Sequence, residues 1–165
     1  MMNPSLLIRD GSPWDLYEKV FTCDLAGDTA IVVSRRAPSE ILTLRSYTGD
    51  TGVKMLLCFS HLQHENVLPA REYYCQEGSM YALCEDLPIT LEDVVTCDAF
   101  PSEAQLAAIL GQVLDGVLYL MAKGLEHRSL DCSSILMGLD GTVKIARLED
   151  THVRGNSQRQ TLEAR

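Results

Sequence analysis

The sequence predicts an α+β fold, in which a five-stranded antiparallel sheet with one helix precedes an incomplete helical part. Three patterns predict this fold. Short runs of β-branched and aromatic residues are separated by turn residues, one long helical stripe of apolar residues follows, and an Asp-Gly pair lies between two apolar runs. With 165 residues, 46% of them hydrophobic, the chain is long enough to form one domain with its own core.

The net charge of the chain makes some classes of binding partner unfavourable. The chain carries 14 Lys and Arg against 23 Asp and Glu, a net charge of −9, and it has no block of basic residues. Such a surface repels phosphate backbones and anionic headgroups, so we expect neither nucleic acid nor a membrane as a partner. The N-terminus lacks the pattern of a signal peptide, and no apolar run approaches the length of a membrane span. We therefore expect a cytoplasmic or nuclear protein with reduced cysteines.

The first part of the chain predicts the sheet and its helix. Residues 1–16 are predicted to be irregular. Beyond them, five runs rich in Val, Ile, Leu, Thr and Tyr predict strands, and the short, turn-rich connections of the first three favour an antiparallel meander. Apolar residues spaced three and four apart predict one helix over residues 53–62. The five predicted strands are residues 17–23, 29–34, 41–47, 67–75 and 79–85.

The second part changes character after residue 87. A short helix is predicted over residues 89–95, and a wide apolar stripe predicts a long helix over residues 102–123. Ser102 and Gln105 have the spacing of a capping box, which marks where the long helix begins.

A hairpin and a tail complete the prediction. Two short apolar runs, residues 133–137 and 142–145, lie on either side of Asp140-Gly141, which is a strong hairpin signal. Residues 151–165 are polar without an apolar period and are predicted to form a frayed tail.

Four local motifs, in this order of elements, resemble those of protein kinases. Residues 62–67 resemble the H-P-N-I turn that follows the regulatory helix, and residues 79–85 resemble the strand that enters the hinge. His127-Arg128-Ser129-Leu130 resembles the catalytic-loop motif H-R-D-L, and residues 135–145 resemble the hairpin after it. Four motifs on the expected elements are more specific than any one of them alone.

The resemblance covers residues 17–150 and implies a protein-kinase-like fold. Residues 17–87 would form an N-lobe, built from the five-stranded sheet and its helix. Residues 88–150 would form an incomplete helical C-lobe with the long helix, the catalytic loop and the hairpin. The C-terminal tail and the N-terminal segment lie outside these two lobes.

Kinase chemistry requires particular groups, and the resemblance places other residues at their positions. Phosphoryl transfer uses a Lys held by a Glu, magnesium held by an Asp and an Asn, and an Asp that orients the substrate hydroxyl. A Ser cannot take up a proton usefully near neutral pH, and an Arg at the metal position opposes the metal's charge. We therefore expect no catalytic residue and no metal site. The substituted positions are Arg45 (Lys), Met55 (Glu), Ser129 (catalytic-loop Asp), Ser134 (Asn) and Arg147 (the Asp of D-F-G).

Two features leave activity open. Kinase hinges recognise adenine through backbone groups, which Glu85, Asp86 and Leu87 would still provide, so ATP binding stays open although no cofactor is expected. Asp131 stands where kinases usually carry Lys and could serve as a substitute base. A lone carboxylate in a polar loop is, however, more often simply solvated.

A zinc site is a further alternative. Cys58, His61 and His64 are spaced three residues apart, as metal ligands can be. No fourth ligand is evident near them, and His64 is accounted for by the turn that resembles H-P-N-I. Metal binding is therefore not expected here.

The resemblance also implies an uncovered surface. In a full kinase the long helix packs against a central hydrophobic helix, and the sequence ends soon after the triplet Arg147-Leu148-Glu149. The apolar stripe that ends at Leu118 and Met121 should therefore be partly exposed. Each exposed Leu forfeits roughly 1.5–3 kcal/mol of burial. We expect a protein partner to cover it, either an active kinase, a scaffold or a second copy of the chain.

Three hypotheses follow for function. The first is a catalytically inactive kinase-like domain, a pseudokinase, that acts in protein binding or signalling scaffolding. The second is an atypical ATP-binding serine/threonine kinase that uses Asp131, Glu149 and Arg45 as substitutes. The third is a kinase gene fragment without a function of its own.

Overall fold

The computed structural model describes residues 6–155 and confirms the α+β class. A large mixed sheet lies next to a smaller part with most of the helical residues. Three clusters of buried apolar side chains form the core, and the largest of them includes residues from both parts.

The large sheet has six strands in the order β1-β5-β6-β4-β3-β2. All neighbouring strands are antiparallel except β1 and β5, which are parallel. Five of these strands are the predicted ones and the sixth is new; β2, β3 and β4 form the predicted meander, whereas β6 lies between β4 and β5. The strands are β1 (Leu7–Asp10), β2 (Tyr17–Asp24), β3 (Asp28–Ser34), β4 (Ile41–Thr48), β5 (Ala70–Gln76) and β6 (Ser79–Glu85).

The prediction of an irregular N-terminal segment and a purely antiparallel sheet was wrong at β1. This strand pairs with the free edge of β5, and Arg9 Nε donates to Glu72 Oε2 at 3.0 Å across that edge. Glu72 also accepts hydrogen bonds from the hydroxyls of Tyr17 and Tyr74. These four residues show little alternation between buried and exposed positions. Their own pattern therefore does not predict a strand, and pairing with β5 stabilises it.

The helix α1 (Gly49–His61) follows β4, as predicted. It buries Met55 and Phe59 against the sheet, where Phe59 packs on the ring of Tyr73. Its first turn is tied to β5, since the Tyr73 hydroxyl donates to Gly52 O at 2.7 Å.

The second part is built around the long helix α3 (Glu103–Ala122). The capping box of Ser102 and Gln105 is confirmed, with each side chain accepting from the other residue's backbone N–H. At Gly116, α3 comes very close to the segment between α1 and β5. A Cβ atom on residue 116 would lie 2.7 Å from Asn66 O. The predicted short helix begins as a two-residue strand, so β7 (Ile89–Thr90) precedes α2 (Leu91–Thr96).

Two small sheets complete this part. The predicted hairpin is confirmed and pairs with β7, in the order β10-β9-β7. Thr151–Val153, the first residues of the predicted tail, instead form a strand that pairs with Leu125–His127 after α3. The two segments are distant in sequence, and no local sequence pattern indicates that they pair. Residues 156–165 of that tail lie outside the described residues. The strands are β8 (Leu125–His127), β9 (Ile135–Met137), β10 (Val143–Ile145) and β11 (Thr151–Val153).

α3 also has an exposed apolar stripe, as predicted. Leu114 and Leu118 are each 60% exposed, and Met121 is 38% exposed. By length and composition alone, α3 could cross a membrane, so the expectation that no apolar run approaches that length was wrong. One such helix does not identify a membrane protein, because a core helix can have the same composition. The opposite face of α3, with Ile109, Val113 and Leu120, is buried.

Candidate functional site

The turn between β2 and β3 lies where the resemblance to kinases would place a phosphate loop. Its tip is Leu25-Ala26-Gly27, and both Leu25 and Ala26 are buried. Asp24 stabilises the turn by accepting from Gly27 N at 2.9 Å, and Leu25 N donates to Gly27 O at 3.1 Å. The left-handed backbone at Ala26 (φ 56°) and Gly27 (φ 101°) folds the turn sharply. The tip therefore points into the protein.

Arg45 holds this turn in place. It lies on β4, is only 5% exposed, and donates from Nη1 to Ala26 O at 2.9 Å and from Nη2 to Leu25 O at 2.5 Å. Its Nε is buried without a hydrogen-bond partner, and Arg45 makes no salt bridge with a carboxylate within residues 6–155. The cation at the lysine position is thus bound to main-chain carbonyls of its own chain.

The buried tip is part of the core that joins the sheet to the hairpin. Leu25 and Ala26 belong to the same apolar cluster as Leu87, Leu136 and Leu148. These three lie on the segment after β6, on β9 and in the triplet after β10, so the cluster spans the space between the two parts. The turn thus contributes two apolar side chains to the core between the two parts.

Met55 is 1% exposed on α1, inside the same cluster. Its neighbour Lys54 makes a polar contact with the C-terminal part, since Nζ donates to the backbone carbonyls of Glu149 and Thr151. α1 is therefore joined to the segment after the triplet by a lysine and main-chain oxygens. Sequence reasoning missed Lys54, because the partners are backbone atoms far along the chain.

The catalytic-loop motif is held by backbone contacts. His127 Nε2 lies 2.9 Å from Ala146 O, and Ser129 N donates to His127 Nδ1 at 3.3 Å. The ring therefore orients the loop rather than facing outward. Ser129 itself is exposed, and its hydroxyl makes no hydrogen bond within the described residues.

Asp131 and Ser134 cap a short turn instead of facing a substrate. Asp131 Oδ1 accepts from Ser133 N (2.9 Å), Ser133 Oγ (2.6 Å) and Ser134 N (3.1 Å). These hydrogen bonds, with that from the Ser133 hydroxyl first, lower the pKa of Asp131. Ser134 is buried and donates from Oγ to Asp131 O at 2.8 Å. A carboxylate that is engaged in this way, with a lowered pKa, is a poor general base.

Arg147 begins the triplet in a left-handed conformation, with φ 52° and ψ 45°. Its Nη2 lies 3.2 Å from Asp150 Oδ2, so it pairs with a carboxylate of its own turn. Leu148 is buried in the core cluster. The charge of Arg147 is therefore paired within its own turn.

The hinge segment is engaged with its surroundings. Thr43 Oγ1 donates to Glu85 O at 3.1 Å, and the Glu85 carboxylate lies 3.2 Å from Lys144 Nζ. Burial raises the pKa of Asp86. Leu87 is buried in the core. The carbonyl of Glu85, which we expected to be available to adenine, thus already accepts a hydrogen bond from a side chain.

Among residues 6–155 there is no group of three or more His, Cys, Asp or Glu that could hold a metal ion. The three residues of the zinc alternative each have other contacts. His64 stacks on Tyr119 with ring centroids 4.7 Å apart, and His61 Nδ1 lies 2.9 Å from Leu57 O. Burial raises the pKa of the Cys58 thiol.

The structure thus brings together some predicted positions and separates others. Arg45 lies in the core close to the β2–β3 turn, and Met55 shares that core. Asp131 and Ser134 form one cap with each other, whereas Ser129 lies exposed at the loop. The sequence signal that could have indicated the buried turn is the pair Leu25-Ala26, because two apolar residues within a turn favour its burial.

Comparison with known proteins gives a partial match to kinases. The serine/threonine-protein kinase ste20 of Aspergillus oryzae is 28% identical over 115 residues, which covers 66% of this chain and 13% of that protein. The kinase pakA of Talaromyces marneffei is 27% identical over 66% of this chain and 18% of its own length. The kinase STE20 of Candida glabrata is 30% identical over 54% of this chain and 10% of its own length. No protein-family profile matches the chain.

These relatives are each several times longer than the matched region, since this chain spans 13% of the length of the Aspergillus kinase. Several kinases are similar at the same modest level of identity over more than half of the chain. Together with the order of the motifs, this shows that the chain is a distant homologue of the serine/threonine protein kinases.

Proposed function

We propose that this chain is a catalytically inactive, kinase-like domain that works by binding another protein. The observation that carries the proposal is the contact of Arg45 with the carbonyls of Leu25 and Ala26. Carbonyl oxygens repel phosphate, and the cation that could neutralise phosphate is already bound to them. The space for a nucleotide is filled by the protein's own turn.

The donor set does not fit a magnesium–nucleotide pair. Mg²⁺ takes oxygen ligands, principally carboxylates. Ser134 is buried within its own cap, and Arg147, which stands where the resemblance implies an Asp, offers a guanidinium paired with Asp150 and not a free carboxylate. We therefore expect neither ATP nor a metal as a cofactor.

Binding is supported by surface that is apolar and uncovered. Leu110, Leu114 and Leu118 on one side of α3 are 48%, 60% and 60% exposed. Exposed apolar patches are typical of protein interaction sites. We propose an active kinase, a scaffold or a second copy of the chain as the partner, in the cytoplasm or nucleus.

A phosphotransfer assay tests the loss of activity. The purified full chain is incubated with Mg²⁺ or Mn²⁺ and radiolabelled ATP, with a general substrate and with itself as substrate. We expect incorporation at the level of a protein-free control. Activity that disappears in a Ser129→Ala variant would overturn the proposal, and activity that disappears in an Asp131→Asn variant would favour the atypical kinase.

A further inference from the structure

The segment between β3 and β4 carries the only two adjacent basic residues of the chain. Arg35 and Arg36 stand four and three residues before Ser39, in a sequence whose net charge is −9. Residues 35–40 are all exposed, and they lie outside the motifs that resemble those of kinases. Neither the resemblance nor the proposed loss of activity assigns this segment a role.

Ser39 lies at the tip of a β-turn. Glu40 N donates to Ala37 O at 3.1 Å, which closes the turn over Pro38 and Ser39. Proline favours the second position of such a turn, because its ring fixes φ at about −65°. The Ser39 side chain is exposed, and its hydroxyl makes no hydrogen bond within residues 6–155. This hydroxyl is therefore accessible to an enzyme.

Arg36 offers an exposed guanidinium to the same enzyme. Its side chain makes no hydrogen bond and no ion pair within the part of the chain that the structure describes. Arg35, in contrast, donates to Trp14 O and to Glu18 Oε2, each at 3.3 Å. Of the two adjacent arginines, Arg36 is therefore the one whose charge is available for recognition by another protein.

The sequence pattern alone does not identify a site. An arginine three residues before a Ser or Thr occurs at four places in the chain, and the structure describes three of them. Ser157 lies outside the described residues. The four hydroxyl residues are Ser12, Ser39, Thr48 and Ser157.

The arginine before Ser12 is engaged. Arg9 Nε donates to Glu72 Oε2 at 3.0 Å, so its charge is paired within the sheet. The Ser12 hydroxyl accepts from Trp14 N at 3.3 Å and caps a short 3-10 helix. Both groups that an enzyme would need at this place are therefore bound within the chain.

The arginine before Thr48 is buried. Arg45 is 5% exposed, and its guanidinium donates to main-chain carbonyls of the β2–β3 turn. Thr48 itself ends β4 and is paired across the sheet with the first residue of β6. Among the described residues, Ser39 alone combines an exposed hydroxyl with an exposed, unpaired arginine three positions before it.

The segment can open without exposing the core. One hydrogen bond closes the turn, and Ser34 Oγ accepts from Arg36 N and Ala37 N at 3.3 Å each. No residue from 35 to 40 is buried. Local opening of a surface segment with so few contacts has a low free energy. An enzyme cleft can therefore bind residues 35–40 in an extended conformation.

We propose that Ser39 is a phosphorylation site for a serine kinase that recognises arginine three residues before its target. Carboxylates of that kinase bind the guanidinium of Arg36, because paired contacts between these planar groups are strong and specific. The chain is the substrate in this reaction, so the inference goes beyond the proposed function and does not depend on it.

The transfer follows the usual course of phosphoryl transfer to a hydroxyl. The Ser39 oxygen bonds to the γ-phosphorus of Mg²⁺-ATP that the modifying kinase holds. The bond between this phosphorus and the β–γ bridging oxygen breaks, ADP leaves, and the hydroxyl proton passes to a base of that kinase. The phosphate adds a charge of about −1.5 to −2 at the turn.

Phosphorylation by a purified enzyme tests the site. The full chain is incubated with Mg²⁺-ATP and the catalytic domain of calcium/calmodulin-dependent protein kinase II, which selects arginine three residues before its target. Mass spectrometry locates the phosphate over a time course. We expect Ser39 to be modified faster than Ser12, Thr48 or Ser157. No phosphate at Ser39, or faster modification of another of these residues, would overturn the proposal.

Substitution of Arg36 tests the recognition residue. Arg36→Ala should lower kcat/KM for phosphorylation of Ser39 by at least about tenfold. Lys19→Ala is the matched control, because Lys19 is exposed on the neighbouring strand β2 and its loss makes the same change in charge. It should leave kcat/KM within about twofold. Equal values for the two variants would overturn the role of Arg36. Circular dichroism melts check that each variant is folded.

A second enzyme tests the specificity. Casein kinase 2 recognises acidic residues after its target, and it should leave Ser39 unmodified under the same conditions. Modification of Ser39 by this enzyme at the rate of the first would overturn recognition through arginine.

The two proposals fail in different ways. Incubation of the chain alone with Mg²⁺-ATP is the common control, and phosphate that appears without an added kinase would overturn the proposed loss of activity. If the chain alone is inactive and the added kinase leaves Ser39 unmodified, this inference fails while the loss of activity is unaffected.

Discussion

Removal of the Arg45 guanidinium tests how the β2–β3 turn is held. Arg45→Met keeps an apolar stem of similar length but leaves the carbonyls of Leu25 and Ala26 without their donors. If the turn stays closed, Ala26 O has no donor and Leu25 O keeps only Thr29 Oγ1 at 3.3 Å, and a buried carbonyl without a partner costs about 1–3 kcal/mol. If the turn opens, those oxygens reach water, and the loss is mainly the burial of Leu25, about 1.5–3 kcal/mol. The turn will adopt whichever of the two responses costs less, so we expect Arg45→Met to lower the free energy of unfolding by about 2–3 kcal/mol.

Urea unfolding of the two proteins measures this difference. Native-state hydrogen exchange distinguishes the two responses, because an open turn exposes the amides of Leu25 and Gly27, which the closed turn protects. Arg71→Met is the matched control, since Arg71 is half exposed and its pair with Glu40 is worth about 0–1 kcal/mol. A change below about 0.5 kcal/mol for Arg45→Met, with unchanged exchange in the turn, would refute the reasoning.

Three further predictions concern the helical part. Gly116→Ala should destabilise the protein by about 1–3 kcal/mol because its Cβ has no room, whereas Gly111→Ala, with open space around it, should stabilise by about 0.4–1 kcal/mol in urea unfolding. Leu114→Ser, at an exposed position, should change stability by less than about 0.5 kcal/mol, whereas Leu120→Ala should cost about 2–5 kcal/mol in the same measurement. Hydrogen bonds from Thr90 lower the pKa of Asp93, so its contribution to stability is present above the ordinary carboxyl pKa of about 3.9 and is lost as pH falls through the lowered value. The melting-temperature difference between wild type and Asp93→Asn should therefore be largest near neutral pH and shrink in acid.

Each of these predictions has a contradictory result. If both glycine variants stabilised the protein, the close approach of α3 to residue 66 would be wrong. A large loss for Leu114→Ser would mean that its face of α3 is covered in the isolated chain. If the melting-temperature difference between wild type and Asp93→Asn did not change with pH, the charge of Asp93 would not contribute to the capping box at Thr90.

Elements with a local signal were predicted well. The capping box at Ser102 fixed the start of α3, because both of its partners lie within one helical turn. The Asp-Gly pair identified the β9–β10 hairpin for the same reason. The strands β1 and β11 were not predicted, since each is stabilised by pairing with a strand distant in sequence and not by its own pattern.

The contacts of the candidate site residues were not predicted from the sequence. The resemblance places Arg45 and Asp131 at substituted kinase positions, and that assignment stays a prediction. Sequence could not show that Arg45 points to the β2–β3 turn, because its acceptors are backbone oxygens present in every residue. Asp131 followed by Ser133 and Ser134 could have predicted the cap, since a carboxylate two or three residues before backbone N–H groups is a common local arrangement. The apolar pair Leu25-Ala26 was a sequence signal for a buried turn, and it was not used.

Titration of the full chain with Mg²⁺-ATP, followed by thermal unfolding, tests the central claim most directly. The claim is that the turn held by Arg45 fills the nucleotide space, and it predicts the same melting temperature with and without 5 mM Mg²⁺-ATP. A ligand present at 100 times its Kd would stabilise the folded state by about 2.7 kcal/mol, or roughly 2–4 °C for each kcal/mol in a chain of this size. A magnesium-dependent rise of that order would contradict the claim.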